Sequence, residues 1–415
     1  MRNPRPRILY IVPAWPHERS FGQQLRVLHM GRALQDLGEV NLAVISDTDD
    51  AEAMEKTASE FQVYCNLGTK RLPGRGSWQR LRWWLDPCFM DSYFSFTGEG
   101  GTARLFEGLG HFDLIWLNGL RVANICGLWR WPRSMLDIDD LPSTYQLTEW
   151  RNGTRLMDRF KAGARAIALK RRETLLQERF TVLGVCSEAD RQYLGGGSRI
   201  HVIPNGFEQP KVEPHPQPTK PPRLGFVGLF EYPPNLEGVR WFMRNCWPRI
   251  KREVPDARLR LVGKYSDGPL KPADPDVDGL GFLTDPSEEI ATWSAMIAPI
   301  RLGSGTRVKV AEAFSRKCPL VSTRFGALGY DVADGEDVLL ADTPEAFARA
   351  CIHVMREPSE ATAMAERAWR RFLDNWTWGA IAPRVWAAAE NCLRLSASNS
   401  TSERSTSLQN GHKVG

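Results

Sequence analysis

One segment of the chain combines glycines with charged residues at spacings that suit the binding of phosphate groups. Residues 298–329 read APIRLGSGTRVKVAEAFSRKCPLVSTRFGALG, the pattern of a strand, a glycine loop, a helix and a second strand. Gly303 and Gly305 allow the backbone to approach a ligand closely. We predict that the helix begins near Ser304–Thr306, where free N–H groups and the positive end of the helix dipole attract anions. The segment therefore indicates a diphosphate site.

Three charged side chains on this helix complete the predicted site. Arg307 and Lys309 place two positive charges at the end of the helix where the diphosphate would lie. Glu312 follows Lys309 by three residues, so it lies on the same helix face, within reach of neutral hydroxyl groups beside the phosphates. An amphipathic helix with solvated charges is the alternative interpretation. The glycine loop and the three charges together favour a functional site.

The elements that must position these residues alternate between strands and helices. Short apolar runs, such as residues 7–13, 40–46 and 112–117, are separated by helix-length segments such as 21–37. This alternation is typical of βαβ units and parallel sheets. Ligands of such sheets bind beyond the carboxyl ends of the strands. We therefore predict an α/β fold with two Rossmann-like, doubly wound domains that face a cleft.

A proline-rich stretch divides the chain. Residues 208–222 contain six prolines and almost no apolar residue, which predicts a semi-rigid linker. It would separate an N-terminal, acceptor-side domain over residues 1–207 from a C-terminal domain over 223–376 that carries the glycine loop. A closing helix is expected over 377–395. The serine-rich residues 396–415 predict a disordered tail.

Composition excludes several classes of protein. The 415 residues are 42% hydrophobic and 25% charged, which is ordinary for a globular protein, and no apolar run is long enough to predict a transmembrane helix. A net charge of +5 is too small to indicate nucleic-acid binding. The eight cysteines lack a C-x-x-C motif and favour buried, reduced thiols, which predicts a cytoplasmic protein.

The motifs resemble a known family. The string R-x-G-S-G-T-R-V-K-V-x-E-A-F from residue 301, followed by P-L-V-S-T-x-x-G-A-x-G, is similar to retaining glycosyltransferases of the GT-B fold, in the large family 4 class. Residues 225–228 (GFVG) and 232–235 (YPPN) look like the opening of the nucleotide-binding domain in a subgroup that transfers sugars during polysaccharide assembly. Residues 375–378 (NWTW) look like the start of that family's closing helix.

The resemblance implies a reaction. A hexose would pass from a UDP- or GDP-sugar to a glycan or lipid-linked acceptor, with retention of anomeric configuration and without a metal or other cofactor, in cell-surface polysaccharide synthesis. Arg307 and Lys309 would stabilise the charge that develops on the departing diphosphate. Glu312 matches the family glutamate that hydrogen-bonds the nucleotide ribose.

The resemblance also implies which residues contact each substrate. The donor would lie against residues of four loops, namely Gly22, Gly228, Gly303, Ser304, Gly305, Thr306, Phe325, Gly326 and Ala327. The acceptor-side candidates are Gln23, Asn118, Asp139 and Asp140. We interpret the aspartates of residues 137–140 as a turn cap or a polar acceptor contact, because a few carboxylates alone make a poor Mg²⁺ site.

Two departures from the family pattern leave alternatives open. Ser304 stands where the family has a first glutamate, and Asn118 stands where it often has a histidine. A non-catalytic nucleotide-binding or scaffolding subunit of the same fold would tolerate both changes. A sugar-nucleotide epimerase shares the two-domain shape, but the sequence offers no convincing acid/base set for it.

Two basic segments carry a further hypothesis. Residues 70–84 (KRLPGRGSWQRLRWW) contain five basic residues, three tryptophans and no acid, and residues 155–179 predict a basic helix. Solvated surface over core tryptophans is one interpretation. The other is peripheral contact with anionic lipids at the inner face of a membrane, near a lipid-linked acceptor. Nucleic-acid binding would need the same patch, and no fold motif supports it.

Overall fold

A computed structural model shows two α/β units. It describes residues 5–17, 23–46, 50–72, 76–90, 92, 94–97, 100–153, 155–303 and 305–410. The first unit comprises Met1–Ser143, Ala164–Ile203 and Ala382–Gly415, and the second comprises Thr144–Gly163 and Pro204–Ile381. Each unit contains one largely parallel sheet with helices between successive strands, which confirms the predicted α/β class.

The sheet of the first unit has eight strands. Their bounds are β1 Arg7–Val12, β2 Glu39–Ser46, β3 Gln62–Arg71, β4 Phe94–Phe96, β5 Leu114–Asn118, β6 Ser134–Ile138, β7 Val182–Val185 and β8 Ile200–Val202. The spatial order is β4-β3-β2-β1-β5-β6-β7-β8, with only β4 antiparallel to its neighbour. Residues 8–12 of β1 and 114–117 of β5 are buried and almost entirely apolar because helices cover both faces of the sheet.

Nine α-helices accompany these strands in the described residues. They are α1 Gln23–Leu37, α2 Ala51–Glu60, α3 Ser77–Leu85, α4 Gly100–Gly108, α5 Leu120–Ile125, α6 Pro142–Asn152, α7 Leu156–Glu173, α8 Leu176–Arg179 and α9 Glu188–Tyr193. Most of α6 and the first half of α7 belong to the second unit. The predicted N-terminal domain over residues 1–207 was therefore wrong for residues 144–163, because they pack with the other unit.

The sheet of the second unit has six parallel strands in the order β11-β10-β9-β12-β13-β14. They are β9 Arg223–Val227, β10 Arg258–Val262, β11 Val277–Gly279, β12 Ala295–Ala298, β13 Leu320–Ser322 and β14 Leu339–Leu340. Its helices are α10 Pro233–Asn245, α11 Trp247–Glu253, α12 Ser287–Ala291, α13 Val308–Ser315, α14 Pro344–Arg356 and α15 Pro358–Asn375. Helix α16, Trp378–Asn410, follows them, and its residues from Ala382 onward belong to the first unit.

The strand order of the second sheet reverses between β9 and β12. These two strands pair in parallel, and their connections leave in opposite directions across the sheet. A crevice forms at such a point, beyond the carboxyl ends of the strands. The chain that follows β9 begins with Gly228, and the chain that follows β12 contains the glycine loop. The topology therefore brings the two predicted donor-binding segments together.

Three segments differ from the sequence-based expectations. The proline-rich segment 208–222 packs on the second unit, where Gln217 N–H and Thr219 N–H donate to the carbonyl oxygens of Ala291 and Thr292. The helix α16 continues to Asn410, beyond the closing helix expected to end at residue 395 and into the segment expected to be disordered. The helix expected near Ser304–Thr306 begins instead at Val308.

A buried ion pair holds the first unit together at the carboxyl end of its sheet. Arg26 of α1 donates from Nε and Nη2 to the two carboxylate oxygens of Asp137 at 2.9 and 2.6 Å, and both side chains are fully buried. Arg26 Nη2 also donates to the carbonyl oxygen of Ile203 at 2.9 Å. Asn118 Nδ2 donates to Asp137 Oδ2 at 3.1 Å. One network thus joins α1 to the ends of β5, β6 and β8.

Removing one partner of this pair is expected to destabilise the first unit strongly. Arg26→Met leaves the Asp137 carboxylate buried without its counter-charge, which lowers the free energy of unfolding by about 3–5 kcal/mol. Arg32→Ala is the matched control, since the Arg32–Glu60 pair is exposed and contributes at most about 1 kcal/mol. Urea denaturation measures both variants, and equal losses would contradict the prediction.

Candidate functional site

The glycine loop after β12 adopts a backbone conformation that only glycine accepts easily. Gly303 has φ of 122° and Gly305 has φ of 67°. A Cβ atom on Gly303 would lie 2.9 Å from Arg307 Nη2. These left-handed residues interrupt any helix, which explains why α13 starts later than the sequence pattern suggests. The free N–H groups of the helix N-terminus therefore begin at Val308.

Arg307 connects the glycine loop to the loop after β13. It is the N-cap residue of α13, and its Nη1 donates to the carbonyl oxygen of Gly305 at 2.8 Å. Its guanidinium carbon lies 5.0 Å from the centroid of the Phe325 ring, a cation–π distance. The side chain is thus held on both sides, with its charge at the positive end of α13.

Lys309 reaches from α13 to the start of α10. Its Nζ donates to Asn235 Oδ1 at 2.7 Å and lies 4.4 Å from the centroid of the Phe226 ring. Burial and, to a smaller extent, the nearby Arg307 charge lower the pKa of Lys309 to about 7, against the opposing effect of Glu312. The ammonium group is therefore poised to gain stability from an anion.

Glu312 lies one turn after Lys309 and keeps its carboxylate available. Burial raises its pKa, while the positive charges of Arg316 and Lys309 act in the opposite direction. Within the described parts of the chain, no donor forms a hydrogen bond with this carboxylate. A part-buried carboxylate with free lone pairs can accept hydrogen bonds from ligand hydroxyl groups.

Gly228 lies beside Asn235 at the end of β9. A Cβ atom on Gly228 would fall 2.7 Å from Asn235 Nδ2, so a larger residue would displace the amide that holds Lys309. Asn235 Nδ2 also donates to the carbonyl oxygen of Leu229 at 2.9 Å. Asn235 is a functional residue that the sequence analysis did not single out, although it belongs to the YPPN motif quoted there.

The remaining described donor-side candidates are buried or part-buried. Phe325 contacts Arg307, whereas Gly326 N–H donates to Thr323 Oγ1 at 2.8 Å and Ala327 is buried. Gly326 and Ala327 therefore form the turn that presents Phe325. Thr306 is buried, and its Oγ1 has no hydrogen-bond partner among the described residues. Gly22 and Ser304 lie outside the described residues.

Helix α6 contributes residues to this site that sequence reasoning missed. Gly303 N–H donates to Thr148 Oγ1 at 3.1 Å, and Asn152 Nδ2 donates to the carbonyl oxygen of Arg301 at 2.8 Å. The Thr148 hydroxyl in turn lies 2.8 Å from the carbonyl oxygen of Tyr145 and 3.2 Å from that of Gly303. These contacts fix the backbone of the glycine loop. No local sequence signal links positions about 150 residues apart.

The acceptor-side candidates belong to the first unit. Asn118 is buried and bonded to Asp137, which favours a structural role, although its Oδ1 has no partner among the described residues. Asp139 is part-buried and accepts a hydrogen bond from Cys186 Sγ at 3.2 Å, and Asp140 is exposed. Gln23 begins α1, and its side chain lies outside the described residues.

The described residues contain no group of three or more His, Cys, Asp or Glu side chains arranged to hold a metal ion. In the same residues, no helix is both long and apolar enough to cross a bilayer. The absence of a metal requirement stays a prediction.

Part of the sequence is similar to known proteins. Residues 221–357 match the profile of the family described as Glycosyl transferases group 1. A stretch of 157 residues is 29% identical to an uncharacterised 44.6 kDa protein in the cps region of Klebsiella pneumoniae. That match covers 35% of this chain and 40% of the relative, so the similarity spans less than half of either protein.

Solved structures share the fold over nearly the whole chain. A sucrose-phosphate synthase from Thermosynechococcus elongatus is 16% identical with a TM-score of 0.62, and it covers 91% of this chain and 97% of its own. A glycosyltransferase from Rickettsia africae is 12% identical with a TM-score of 0.62, and the match covers 94% of this chain and 99% of that one. HepE from Anabaena, solved with UDP and glucose, is 15% identical with a TM-score of 0.57, and the match covers 91% of this chain and 97% of that one. The fold is that of GT-B glycosyltransferases.

Substitution of Thr148 tests its role in holding the glycine loop. Thr148→Val leaves Gly303 N–H without an acceptor, so the free energy of unfolding falls by about 1–3 kcal/mol and the Gly303 amide exchanges faster with solvent. Thr148→Ser keeps the hydroxyl and is the control. Hydrogen exchange measured by NMR reports on the loop directly. Unchanged Gly303 exchange in the valine variant would be evidence against this role.

Substitution of Asn235 tests its control over Lys309. Asn235→Ala removes an acceptor that stabilises the ammonium form, so the pKa of Lys309 should fall below about 7. Asn235→Asp adds a negative charge, so the pKa should rise. Both pKa values can be measured by NMR with lysine labelled at the ε-carbon, and Lys309→Arg identifies the resonance. Shifts of the same sign in both variants would refute the assignment.

Proposed function

We propose that the protein transfers a sugar from a nucleotide-diphosphate sugar, because residues 221–357 match the profile of the family described as Glycosyl transferases group 1. The donor is a UDP- or GDP-hexose, the acceptor is a glycan or a lipid-linked glycan, and the anomeric configuration is retained. The observation that carries this proposal is the placement of Arg307 and Lys309 around a left-handed glycine loop at the reversal of a parallel sheet.

The two cations have separate tasks in this reaction. Departure of the nucleoside diphosphate builds negative charge on the phosphate oxygens. Arg307 is fixed between Gly305 and Phe325, so it meets that charge without reorganisation. Lys309 takes up or keeps its proton when the diphosphate arrives, because an adjacent anion raises the pKa of an amine. Together they supply the positive charge that a metal ion would otherwise supply, and we propose that the reaction needs none.

Glu312 and the glycine loop position the donor. The Glu312 carboxylate, which accepts no hydrogen bond within the described residues, suits the hydroxyl groups of a ribose. Gly303 and Gly228 leave room for the diphosphate at the ends of β12 and β9. Thr148 keeps the Gly303 peptide in one orientation.

The biological setting is also part of the proposal. The relative from the Klebsiella cps region supports a role in the synthesis of a cell-surface polysaccharide. The complex of Anabaena HepE with UDP and glucose supports UDP as the first donor nucleotide to test. We expect the enzyme to reach the acceptors of cell-surface polysaccharide synthesis from the cytoplasm, at the inner face of the membrane.

Nucleotide binding tests the donor site. A ligand that binds only the folded protein raises its melting midpoint. In a panel of UDP, GDP, ADP and CMP, we expect one diphosphate to stabilise the wild-type protein. Lys309→Ala should weaken its affinity by about tenfold or more, since a hydrogen bond to a charged group contributes about 1.5–3 kcal/mol. Lys211→Ala, a change to an exposed lysine of the proline-rich segment, is the matched control.

Turnover separates the enzyme from a binding subunit. With the UDP- or GDP-sugars of the preferred nucleotide, NMR of the product should show the anomeric configuration of the donor. Binding without any transfer or hydrolysis would favour a non-catalytic subunit of the same fold. Absence of nucleotide binding at millimolar concentration would remove the proposed donor site.

A further inference from the structure

A guanidinium and a carboxylate lie side by side at the edge of the glycine loop. Arg301 stands two residues before Gly303, and its Nη1 donates to Glu237 Oε1 of α10 at 3.2 Å. The side chains of Arg301 and Glu237 are 31% and 28% exposed, so a ligand can reach both. Both residues belong to the second unit, as do Lys309 and the glycine loop.

The Arg301 side chain and backbone are held in place by two further contacts. The guanidinium carbon lies 5.3 Å from the centroid of the Trp241 ring, which follows Glu237 by one turn of α10. The carbonyl oxygen of Arg301 accepts the hydrogen bond from Asn152 Nδ2 of α6 at 2.8 Å. The orientation of the pair is thus set before a ligand arrives, which lowers the entropy that binding costs.

Each member of the pair keeps hydrogen-bonding groups that the described residues do not use. Glu237 Oε2 is shielded from solvent and accepts no hydrogen bond from them. A guanidinium has five N–H donors, and Arg301 uses one of these on Glu237. A shielded carboxylate oxygen without a donor is costly, so a ligand that supplies a donor gains affinity there.

An acceptor next to several donors suits the hydroxyl groups of a sugar. Each hydroxyl group both donates and accepts a hydrogen bond. One hydroxyl can donate to Glu237 Oε2 while its neighbour accepts from Arg301. A phosphate group would meet the negative charge of Glu237, and an ammonium group would meet the positive charge of Arg301. Neutral polar groups fit both members of the pair.

A second carboxylate makes the surroundings of Glu237 more negative. Burial raises the pKa of Glu237, the Arg301 charge lowers it, and the charge of Glu149 on α6 raises it. The two glutamates therefore lie close enough to repel each other, and Arg301 compensates for one of them. A further carboxylate, such as that of a uronic acid, would be repelled.

We propose that Glu237 and Arg301 bind hydroxyl groups of the donor hexose and discriminate against sugars that carry a carboxylate. This inference rests on the proposed function, because it places the sugar of a nucleotide-sugar beside the pair. Glu237 follows Asn235, the partner of Lys309, by two residues, and Arg301 precedes Gly303 by two residues. The pair thus flanks the residues proposed to hold the diphosphate, to which the hexose is attached.

Calorimetric titration of the full-length protein with UDP and with UDP-glucose tests the pair; GDP and GDP-mannose replace them if GDP is the nucleotide that stabilises the protein. Glu237→Gln keeps the shape of the side chain but replaces the carboxylate. We expect its Kd for the nucleoside diphosphate to stay within about twofold of wild type and its Kd for the sugar nucleotide to rise about tenfold. Glu288→Gln, which changes an exposed glutamate of α12, is the matched control and should alter neither Kd.

A uronic acid donor supplies the second arm of the experiment. The wild-type protein should bind UDP-glucuronate about tenfold or more weakly than UDP-glucose, and Glu237→Gln should reduce that difference because one negative charge is lost. Arg301→Lys keeps the positive charge but loses the planar set of donors. It should weaken the binding of UDP-glucose and leave that of UDP unchanged.

Three outcomes would overturn the inference. Equal losses of UDP and UDP-glucose binding in Glu237→Gln would show that the pair only supports the glycine loop. Unchanged UDP-glucose binding in that variant, or equal wild-type affinity for the glucose and glucuronate donors, would show that the pair does not contact the sugar. Circular dichroism checks that each variant folds. Wild-type protein that binds neither UDP nor GDP would overturn the proposed function as well, whereas the first outcomes leave it standing.

Discussion

The hydrogen bond from Lys309 to Asn235 is the interaction around which the second unit is organised. It joins the helix that follows β12 to the helix that follows β9, across the line where the sheet reverses its order. Gly228 and Gly303 supply the space on either side of it. A second charged contact joins the same two segments, because Arg301 Nη1 after β12 donates to Glu237 Oε1 of α10 at 3.2 Å. The geometry of the crevice therefore depends on both contacts.

That arrangement leaves the site electrostatically unbalanced. Arg307 lowers the pKa of Lys309, which means that the two cations repel each other, and burial deprives the ammonium of water. The opposing carboxylate, Glu312, is itself disfavoured in its charged form by burial. Such a cluster does not stabilise the fold, and its free energy improves when a dianion enters. In the proposed reaction, this unfavourable electrostatics in the empty protein would be a source of affinity for the donor.

The sequence predicted what depends on local pattern. Alternating strands and helices predicted the α/β class, which the structure confirms. The glycines with Arg307, Lys309 and Glu312 at helical spacing predicted a donor site, and that role stays a prediction. The sequence did not predict where α13 begins, because that depends on the left-handed conformations of Gly303 and Gly305. Helices α10 and α11 are separated at Cys246. The tryptophan and proline that follow Cys246 start the new helix. The role of Thr148 depends on a tertiary contact with no local signature.

The membership of residues 144–163 in the second unit has a consequence for how this protein can be divided. The proline-rich segment looks like the natural place to cut the chain or to join it to a relative. A fragment that starts there would contain Gly303 but lack Thr148 and Asn152, which hold its loop. A chimera joined there would combine the glycine loop of one parent with the α6 of the other. If the glycine loop binds the donor as proposed, donor specificity would not be a property of the C-terminal half alone, and an exchange of domains would have to include α6.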